Sequence, residues 1–330
     1  MKKVNLAIVG ATGMVGEQFI KILQERNFPC ENIYFFSSGR SAGTKVEFFG
    51  KTYEVEELTE ASFDRHIDIG LFSAGGGISS RYAPILASRG GVAIDNSSHF
   101  RMDSKVPLIV PEVNPWDVFK HNGIISNPNC STIQAVVALS PLHRALRIKR
   151  IIYNTYQAVS GAGMAGVTDL KDGLNGQPPK KFTYPIADNV LPQVDVFLQD
   201  GYTAEEMKMV NETRKILGEP KLKITATCVR VPVYNGHSES INVEFENIFE
   251  IEEIEKILKN APGVVLQNNT SQGYPTAIEA SGTDHVYVGR IRRDQGVENA
   301  INMWVVADNL RKGAATNAIQ IAELLLSKGI

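Results

Sequence analysis

Residues 4–16 restrict the fold more than any other stretch of this 330-residue chain. Val4, Leu6, Ala7, Ile8 and Val9 make a nearly continuous apolar run, as in a strand buried on both faces. Gly10-Ala11-Thr12-Gly13-Met14-Val15-Gly16 follows at once, and then Phe19, Ile20, Ile22 and Leu23 recur at helical spacing. Strand, glycine turn and helix in that order predict a parallel α/β unit. Its helix N-terminus attracts a pyrophosphate, and its glycines let the backbone pass close by. The spacing is G-x-x-G-x-x-G rather than the commoner G-x-G-x-x-G, and glycine trios also occur in plain tight turns. The flanking strand and helix therefore carry the inference.

The next segments repeat the pattern. Ile33–Phe36 reads as a second strand running into Ser37-Ser38-Gly39-Arg40-Ser41. An NAD site usually puts an acidic residue on the ribose here. Hydroxyls and an arginine instead suit the 2′-phosphate of NADP, although a solvated loop arginine has the same sequence. Residues 43–49 and 51–55 predict a hairpin around Gly50. Ile67–Phe72 predicts a strand ending in Ser73-Ala74-Gly75-Gly76-Gly77, a second close-approach loop. Gly91–Ile94 predicts another, leading to Arg101, which either holds an anion or makes a surface ion pair. This half predicts a Rossmann-like, doubly wound parallel sheet.

Ser126-Asn127-Pro128-Asn129-Cys130-Ser131-Thr132-Ile133-Gln134 places Cys130 where a short strand, residues 123–125, turns into a helix. Asn127 and Asn129 are good caps, and the unpaired N–H groups of a first helical turn favour negative charge. A thiol there ionises more readily than a free one, although a small cysteine that only packs fits the same local pattern.

Beyond it, residues 150–159 alternate as a half-exposed antiparallel strand reaching Gln157, then Ser160-Gly161-Ala162-Gly163. Residues 172–189 predict an irregular connection. Thr203–Leu217 predicts a helix with a Thr203/Glu206 capping box and Gly218 at its end. On it Glu205 and Lys208 lie one turn apart, as in a solvated salt bridge. Residues 223–233 and 237–246 predict a hairpin through Tyr234-Asn235-Gly236, with Arg230 and His237 near its ends and Cys228 in the core. A helix at 251–258, strands at 285–293 and 299–306, and a last helix at 308–326 complete an α+β domain with a mostly antiparallel sheet. The expected division is 1–130 for nucleotide binding and 131–307 for catalysis and self-association, the last helix packing back on the first domain.

With 34 basic and 36 acidic side chains, the chain offers no electrostatic reason to bind nucleic acid or an anionic membrane. No apolar run approaches the ~20 residues of a membrane span. Three irregularly spaced cysteines suit a reducing, cytoplasmic setting. There is no H-E-x-x-H and no paired C-x-x-C, so no metal is expected.

Taken together, residues 10–16, 126–134, 157–163, 228–233 and Gly236-His237-Ser238-Glu239 resemble, in the same order and over essentially the full length, the bacterial aspartate-β-semialdehyde dehydrogenases. The resemblance implies reversible NADP-dependent oxidation of L-aspartate 4-semialdehyde, with inorganic phosphate, to 4-aspartyl phosphate. The reductive direction serves lysine (by way of diaminopimelate), methionine and threonine biosynthesis. It also implies a homodimer or homotetramer. Carried over by position, Cys130 is the thioester nucleophile, His237 the acid/base and Gln157 the residue that orients the substrate. Arg230 takes the substrate carboxylate and Glu205 its ammonium. Arg101, Asn129 and Lys208 take phosphate. Gly10, Thr12, Gly13, Met14, Val15, Ser38, Arg40, Ser41, Ser73, Ser160, Gly161 and Asn317 contact the cofactor. A related reductase, such as N-acetyl-glutamyl-phosphate reductase, shares the cysteine logic, and a non-catalytic homologue would share the fold. The charged substrate amine separates the first, and the joint presence of Cys130, Gln157, Arg230 and His237 argues against the second.

Overall fold

In the computed structural model, which describes residues 3–268, 271 and 273–327, the chain forms two compact units. One is built from residues up to Pro128 together with those from Ala314 onward, the other from Asn129–Gly313. Asn129, Cys130 and residues 308–313 thus fall in the second unit rather than outside it. The reason is local: Asn129 is bonded to Glu205 and Glu212, and Gly313 lies against Cys130.

The first unit runs β1 Val4–Val9, α1 Met14–Glu25, β2 Cys30–Ser37, β3 Lys45–Phe48, β4 Lys51–Glu54, β5 Glu56–Glu57, β6 Ile69–Phe72, α2 Gly76–Ser88, β7 Val92–Asp95 and β8 Ile124–Ser126. Its sheet has the order β5-β2-β1-β6-β7-β8 and is parallel throughout. The unbroken apolar run of β1 is explained by burial on both sides. Leu6 and Ile8 pack in one layer with Phe19, Ile22 and Leu23 of α1, while Ala7 and Val9 pack in the other with Tyr82, Ala83 and Leu86 of α2. The expected hairpin around Gly50 forms as β3 and β4.

The second unit runs α3 Cys130–Leu146, β9 Ile148–Gln157, α4 Gly163–Leu174, α5 Ala204–Leu217, β10 Lys223–Arg230, β11 His237–Phe245, α6 Ile251–Lys259, β12 Val264–Leu266, α7 Ala277–Ala280, β13 Val286–Arg293 and β14 Ala300–Ala307. Its sheet, in the order β10-β9-β11-β14-β13-β12, is mixed. Three of its five pairings are antiparallel, and β10 with β9 and β12 with β13 are parallel. Helices α3, α5 and α6 pack on it. The chain ends with α8 Thr316–Ser327, which belongs to the first unit.

Three expectations are corrected. Strands β10 and β11 do not form a hairpin, because β9 lies between them, parallel to one and antiparallel to the other. Residues 231–236 cross that gap of two inter-strand spacings, roughly 10 Å, which six residues span easily. Residues 172–174, expected to open the irregular connection, are instead the last turn of α4, which runs over 163–174 despite three glycines. Gly166 earns its place by closeness, since a Cβ there would stand 2.5 Å from Val159 O. The final helical segment begins at 311 rather than 308, as a π-helical turn over Arg311–Ala315 that leads into α8, because Asp308 Oδ1 accepts from the N–H groups of Leu310 and Arg311 and so sets the start of the helix after it.

Candidate active site

Asn129 is the N-cap of α3, and Cys130 its first helical residue. Asn129 Oδ1 accepts from Ser131 N–H at 3.0 Å and Thr132 N–H at 3.3 Å. Its backbone N–H donates to Glu212 Oε2 at 2.7 Å. The cap therefore comes from Asn129 alone, and it leaves Cys130 half-buried in the first turn, where the helix dipole favours an anion. The other two thiols differ. Burial pushes Cys30 up to about 12 and drives fully buried Cys228 higher still.

Strand directions collect the remaining groups. Because β10 runs parallel to β9, Arg230 pairs in register with Gln157, so the ends of the two strands coincide. Because β11 runs antiparallel to β9, its first residue, His237, starts at that same end, next to the Ser238–Tyr156 pair. All three side chains are buried. Ala158, which follows Gln157, serves two of them through its backbone. Its N–H donates to His237 Nδ1 at 3.0 Å, and its carbonyl accepts from Arg230 Nη1 at 2.7 Å. Since Nδ1 accepts, the neutral imidazole carries its proton on Nε2, which is buried without a partner. Burial, then the Arg230 charge, lower the His237 pKa to about 3. Arg230 Nε is likewise buried without a partner; burial lowers the guanidinium's pKa, while the Glu205 carboxylate and, after it, a thiolate at Cys130 favour its charge.

Glu205 anchors the other side. Its Oε1 accepts from Asn129 Nδ2 at 2.8 Å and Gln157 Nε2 at 3.1 Å, and its Oε2 from Lys208 Nζ at 3.0 Å. The Glu205–Lys208 pair is not a solvated one: the Glu205 side chain is 6% exposed and that of Lys208 25%. Burial alone would raise Glu205, but Lys208 and the two amides outweigh it and hold the carboxyl down to about 2. Lys208 is raised by Glu205 and Asp195, whose Oδ2 accepts at 2.7 Å. Thus Cys130, Gln157, Glu205, Arg230 and His237 are gathered in one unit around the N-terminus of α3, with Asn129 and Lys208 bonded to the same carboxylate.

Gly161 belongs to this cluster too. A Cβ on it would stand 2.8 Å from Arg230 Nη1 and 3.1 Å from His237 Nε2. Ser160 Oγ lies 3.2 Å from Asn235 Oδ1 and accepts from Asn309 Nδ2 at 2.9 Å, and Asn309 Oδ1 accepts from Gly236 N–H at 2.9 Å. These bonds fix the turn that delivers His237.

In the first unit the strand order reverses between β1 and β6, the place where open parallel sheets bind ligands. The loops after those two strands touch: a Cβ on Gly10 would lie 2.5 Å from Ser73 O, and one on Gly16 2.2 Å from Gly10 O. Gly10 also has φ +88°. Gly13 caps α1 without a side chain, so the N–H groups of Met14, Val15 and Gly16 lack intrahelical acceptors. Thr12 Oγ1 lies 2.9 Å from Ser37 Oγ. A glycine cradle, a helix N-terminus and a strand-order switch together fit a dinucleotide pyrophosphate. Ser38, Arg40 and Ser41 form a turn at the end of β2, with Arg40 exposed.

Arg101 is buried rather than on the surface, donating from Nε to Asn127 O and from Nη2 to Asn96 O. Asn317 Nδ2 donates to Ile109 O and Asn127 Oδ1.

Several contributors escape sequence reasoning. Ala158 acts through its main chain, which no side-chain pattern reveals. Glu57, distant in sequence, is brought by β5 against Gly39, where a Cβ would meet its Oε1 at 2.8 Å. Gln134, one turn after Cys130, donates to His237 O at 3.3 Å; its i,i+4 spacing from Cys130 was a visible signal.

Comparison with known proteins agrees over the whole chain. A family model described as semialdehyde dehydrogenase, NAD binding domain, matches residues 5–121, and one described as semialdehyde dehydrogenase, dimerisation domain, matches residues 139–312. The chain is 54% identical to an aspartate-semialdehyde dehydrogenase of Aquifex aeolicus, over 99% of each chain. It is 49% identical to one of Bacillus subtilis, over 97% of each. Among solved structures it resembles the Vibrio cholerae aspartate semialdehyde dehydrogenase II complexed with ASA, with a TM-score of 0.96 at 47% identity and full coverage of both chains. It also resembles the Candida albicans enzyme with NADP, with a TM-score of 0.78 at 26% identity over 99% of each chain.

Proposed function

We propose, for a chain that belongs to the aspartate-semialdehyde dehydrogenase family, that it oxidises L-aspartate 4-semialdehyde reversibly through a thioester on Cys130. The convergence of Gln157, Arg230 and His237 at one sheet end, with Glu205 bonded to the residue that caps the Cys130 helix, carries this reading.

The Cys130 thiolate adds to the aldehyde carbon, and the developing oxyanion takes a hydrogen bond from His237 Nε2–H. His237 suits the donor role. Its other nitrogen is occupied by the Ala158 N–H, and an imidazolium would have to break that bond. A nicotinamide cofactor, when bound, supplies the hydride acceptor. Collapse of the thiohemiacetal then leaves the thioester, and inorganic phosphate attacks its carbonyl to give 4-aspartyl phosphate and return the thiolate. Arg230 pairs with the substrate carboxylate through its planar fork, and ionised Glu205 takes the ammonium. Gln157, fixed between Thr155 and Glu205, orients the substrate. Asn129, Lys208 and Arg101 serve the phosphate.

The cofactor is NADP, held by Gly10, Thr12–Val15, Ser73 and, at the 2′-phosphate, Ser38, Arg40 and Ser41, with Ser160, Gly161 and Asn317 as further contacts. Glu57 beside Gly39 opposes the 2′-phosphate, so Glu57→Gln tightens NADP relative to NAD while Arg40→Ala does the reverse. The chain self-associates as a homodimer, or a dimer of such dimers, through the face of the second sheet that carries half-exposed Tyr156 and Trp304. Sedimentation tests that assembly. Its reductive direction serves lysine, methionine and threonine synthesis in the cytoplasm. No described helix is long and apolar enough to cross a membrane.

The deciding experiment supplies L-aspartate 4-semialdehyde, NADP and phosphate and follows the nicotinamide absorbance, with N-acetyl-glutamate semialdehyde as comparator. Turnover of the first alone, abolished by Cys130→Ala, is expected. Turnover that survives Cys130→Ala overturns the thioester route.

A further inference from the structure

Lys208, given above to the phosphate, is already held by two carboxylates. Its Nζ donates to Glu205 Oε2 at 3.0 Å and to Asp195 Oδ2 at 2.7 Å. The two partners are not equivalent. Glu205 is fixed from its other oxygen as well, by Asn129 Nδ2 and Gln157 Nε2, and is buried. Asp195 lies on the irregular stretch between α4 and α5, with its side chain 38% exposed. Among the described residues its carboxylate has one further donor, the N–H of its own neighbour Val196, which reaches Oδ1 at 2.8 Å. Glu205 leaves Lys208 only by abandoning a buried network, whereas Asp195 has water to turn into.

The backbone keeps Asp195 at its post. It takes φ +69°, a conformation that glycine, asparagine and aspartate adopt more readily than other residues. Just after it the chain is pinned to the start of α5: Ala204 N–H donates to Val196 O at 2.9 Å and Leu198 N–H to Tyr202 O at 2.7 Å. The main chain is thus anchored, and the side chain is the part that can swing. Two carboxylates on one ammonium also leave an excess of negative charge. An arriving phosphate, itself an anion, meets a lysine whose charge is overcompensated.

We propose that Asp195 is an internal competitor of phosphate: its carboxylate occupies Lys208 Nζ until inorganic phosphate displaces it, and so sets the affinity of the site for that anion. In the exchange the ammonium trades one anion for another and keeps Glu205 throughout, while the Asp195 carboxylate passes to water. Asp195 touches none of the reacting atoms and acts through Lys208 as a positioning residue. The inference rests on the phosphate role given above to Lys208.

The test measures the KM for inorganic phosphate in the full chain, with L-aspartate 4-semialdehyde and NADP saturating. Asp195→Asn tolerates the same backbone conformation and retains an oxygen for the Val196 N–H, so it removes the charge alone. It is expected to lower the phosphate KM by about two- to fivefold, the worth of one partly exposed ion pair, while the semialdehyde KM moves little. The gain is expected to shrink as ionic strength rises and to vanish in a Lys208→Met background, neither of which a change in loop packing would produce. A phosphate KM unchanged or raised in Asp195→Asn overturns the proposal, since Asp195 then holds Lys208 in place rather than competing for it. Failure of the underlying reading looks different. Lys208→Met is expected to raise the phosphate KM, and if it leaves that KM unaltered the phosphate role of Lys208 falls and the proposal with it. Should Lys208→Met not fold, the direction of the Asp195→Asn shift and its salt dependence decide.

Discussion

Asn129 Nδ2 donates to Glu205 Oε1 at 2.8 Å while the Oδ1 of the same side chain caps α3. A single amide thus couples the helix that presents the nucleophile to the carboxylate proposed for the substrate ammonium. Asn129→Ser keeps a cap but loses the bond to Glu205, and Asn129→Ala loses both. The Ala variant is expected to cost about 1–2 kcal/mol of stability and the Ser variant a fraction of that. Both are expected to lower kcat/KM by roughly tenfold, the effect of losing one hydrogen bond to a buried charge. Urea unfolding beside steady-state rates checks the split.

The Glu205–Lys208 pair gives a second prediction. Removing Lys208 leaves a buried carboxylate held by two amides only. With the Lys208 side chain 25% exposed, water screens part of the loss, so Lys208→Met is expected to cost about 1–3 kcal/mol. Glu205→Gln in the same chain should recover part of it, which a double-mutant cycle measures. Glu205 titrates at about 2 against an ordinary 4.5. Its contribution is present above about 4.5 and is lost as pH falls toward 2; in Lys208→Met that loss begins at a higher pH.

His237 adds to acid sensitivity in a different window. Its folded pKa is about 3 against an ordinary 6.5, so between those values the unfolded chain binds a proton that the folded one refuses. The contribution is complete above about 6.5 and is lost as pH falls toward 3. The slope from this one group is at most ~1.4 kcal/mol per pH unit. His237→Gln is expected to flatten the pH dependence of the urea midpoint across that window.

Two glycines carry the last prediction. A methyl on Gly161 would crowd Arg230 Nη1 at 2.8 Å and His237 Nε2 at 3.1 Å. Gly161→Ala is therefore expected to raise the semialdehyde KM by roughly tenfold and to move the NADP affinity less. Gly10→Ala should do the opposite. At φ +88°, with a Cβ 2.5 Å from Ser73 O, the loop must shift. A loss of about 1–3 kcal/mol and weaker NADP binding are expected. Nicotinamide fluorescence titration separates the two variants.

Local signals were legible where one element supplied them. The glycine run after β1, the Thr203/Glu206 box and Gly218 of α5, and Asn129 before Cys130 are each a few residues of sequence, and each sits where the pattern puts it. The Tyr234-Asn235-Gly236 turn misled because a reversal of direction looks the same whether the next strand pairs alongside or beyond an intervening one. The Glu205–Lys208 spacing gave the contact but not its burial, since i,i+3 geometry says nothing about what covers the pair.

The amino-acid sequence by itself determined the alternation of strands and helices, the capped helix start that presents Cys130 and the close-approach glycines, because those follow from periodicity and backbone sterics within a dozen residues. Only the tertiary structure decided that β9 separates β10 from β11, that one main-chain amide fixes the His237 tautomer, and that Glu205 is ionised although buried. Those outcomes depend on strand order, and on which donors lie within 3 Å of a buried group, quantities that exist only once distant segments have packed.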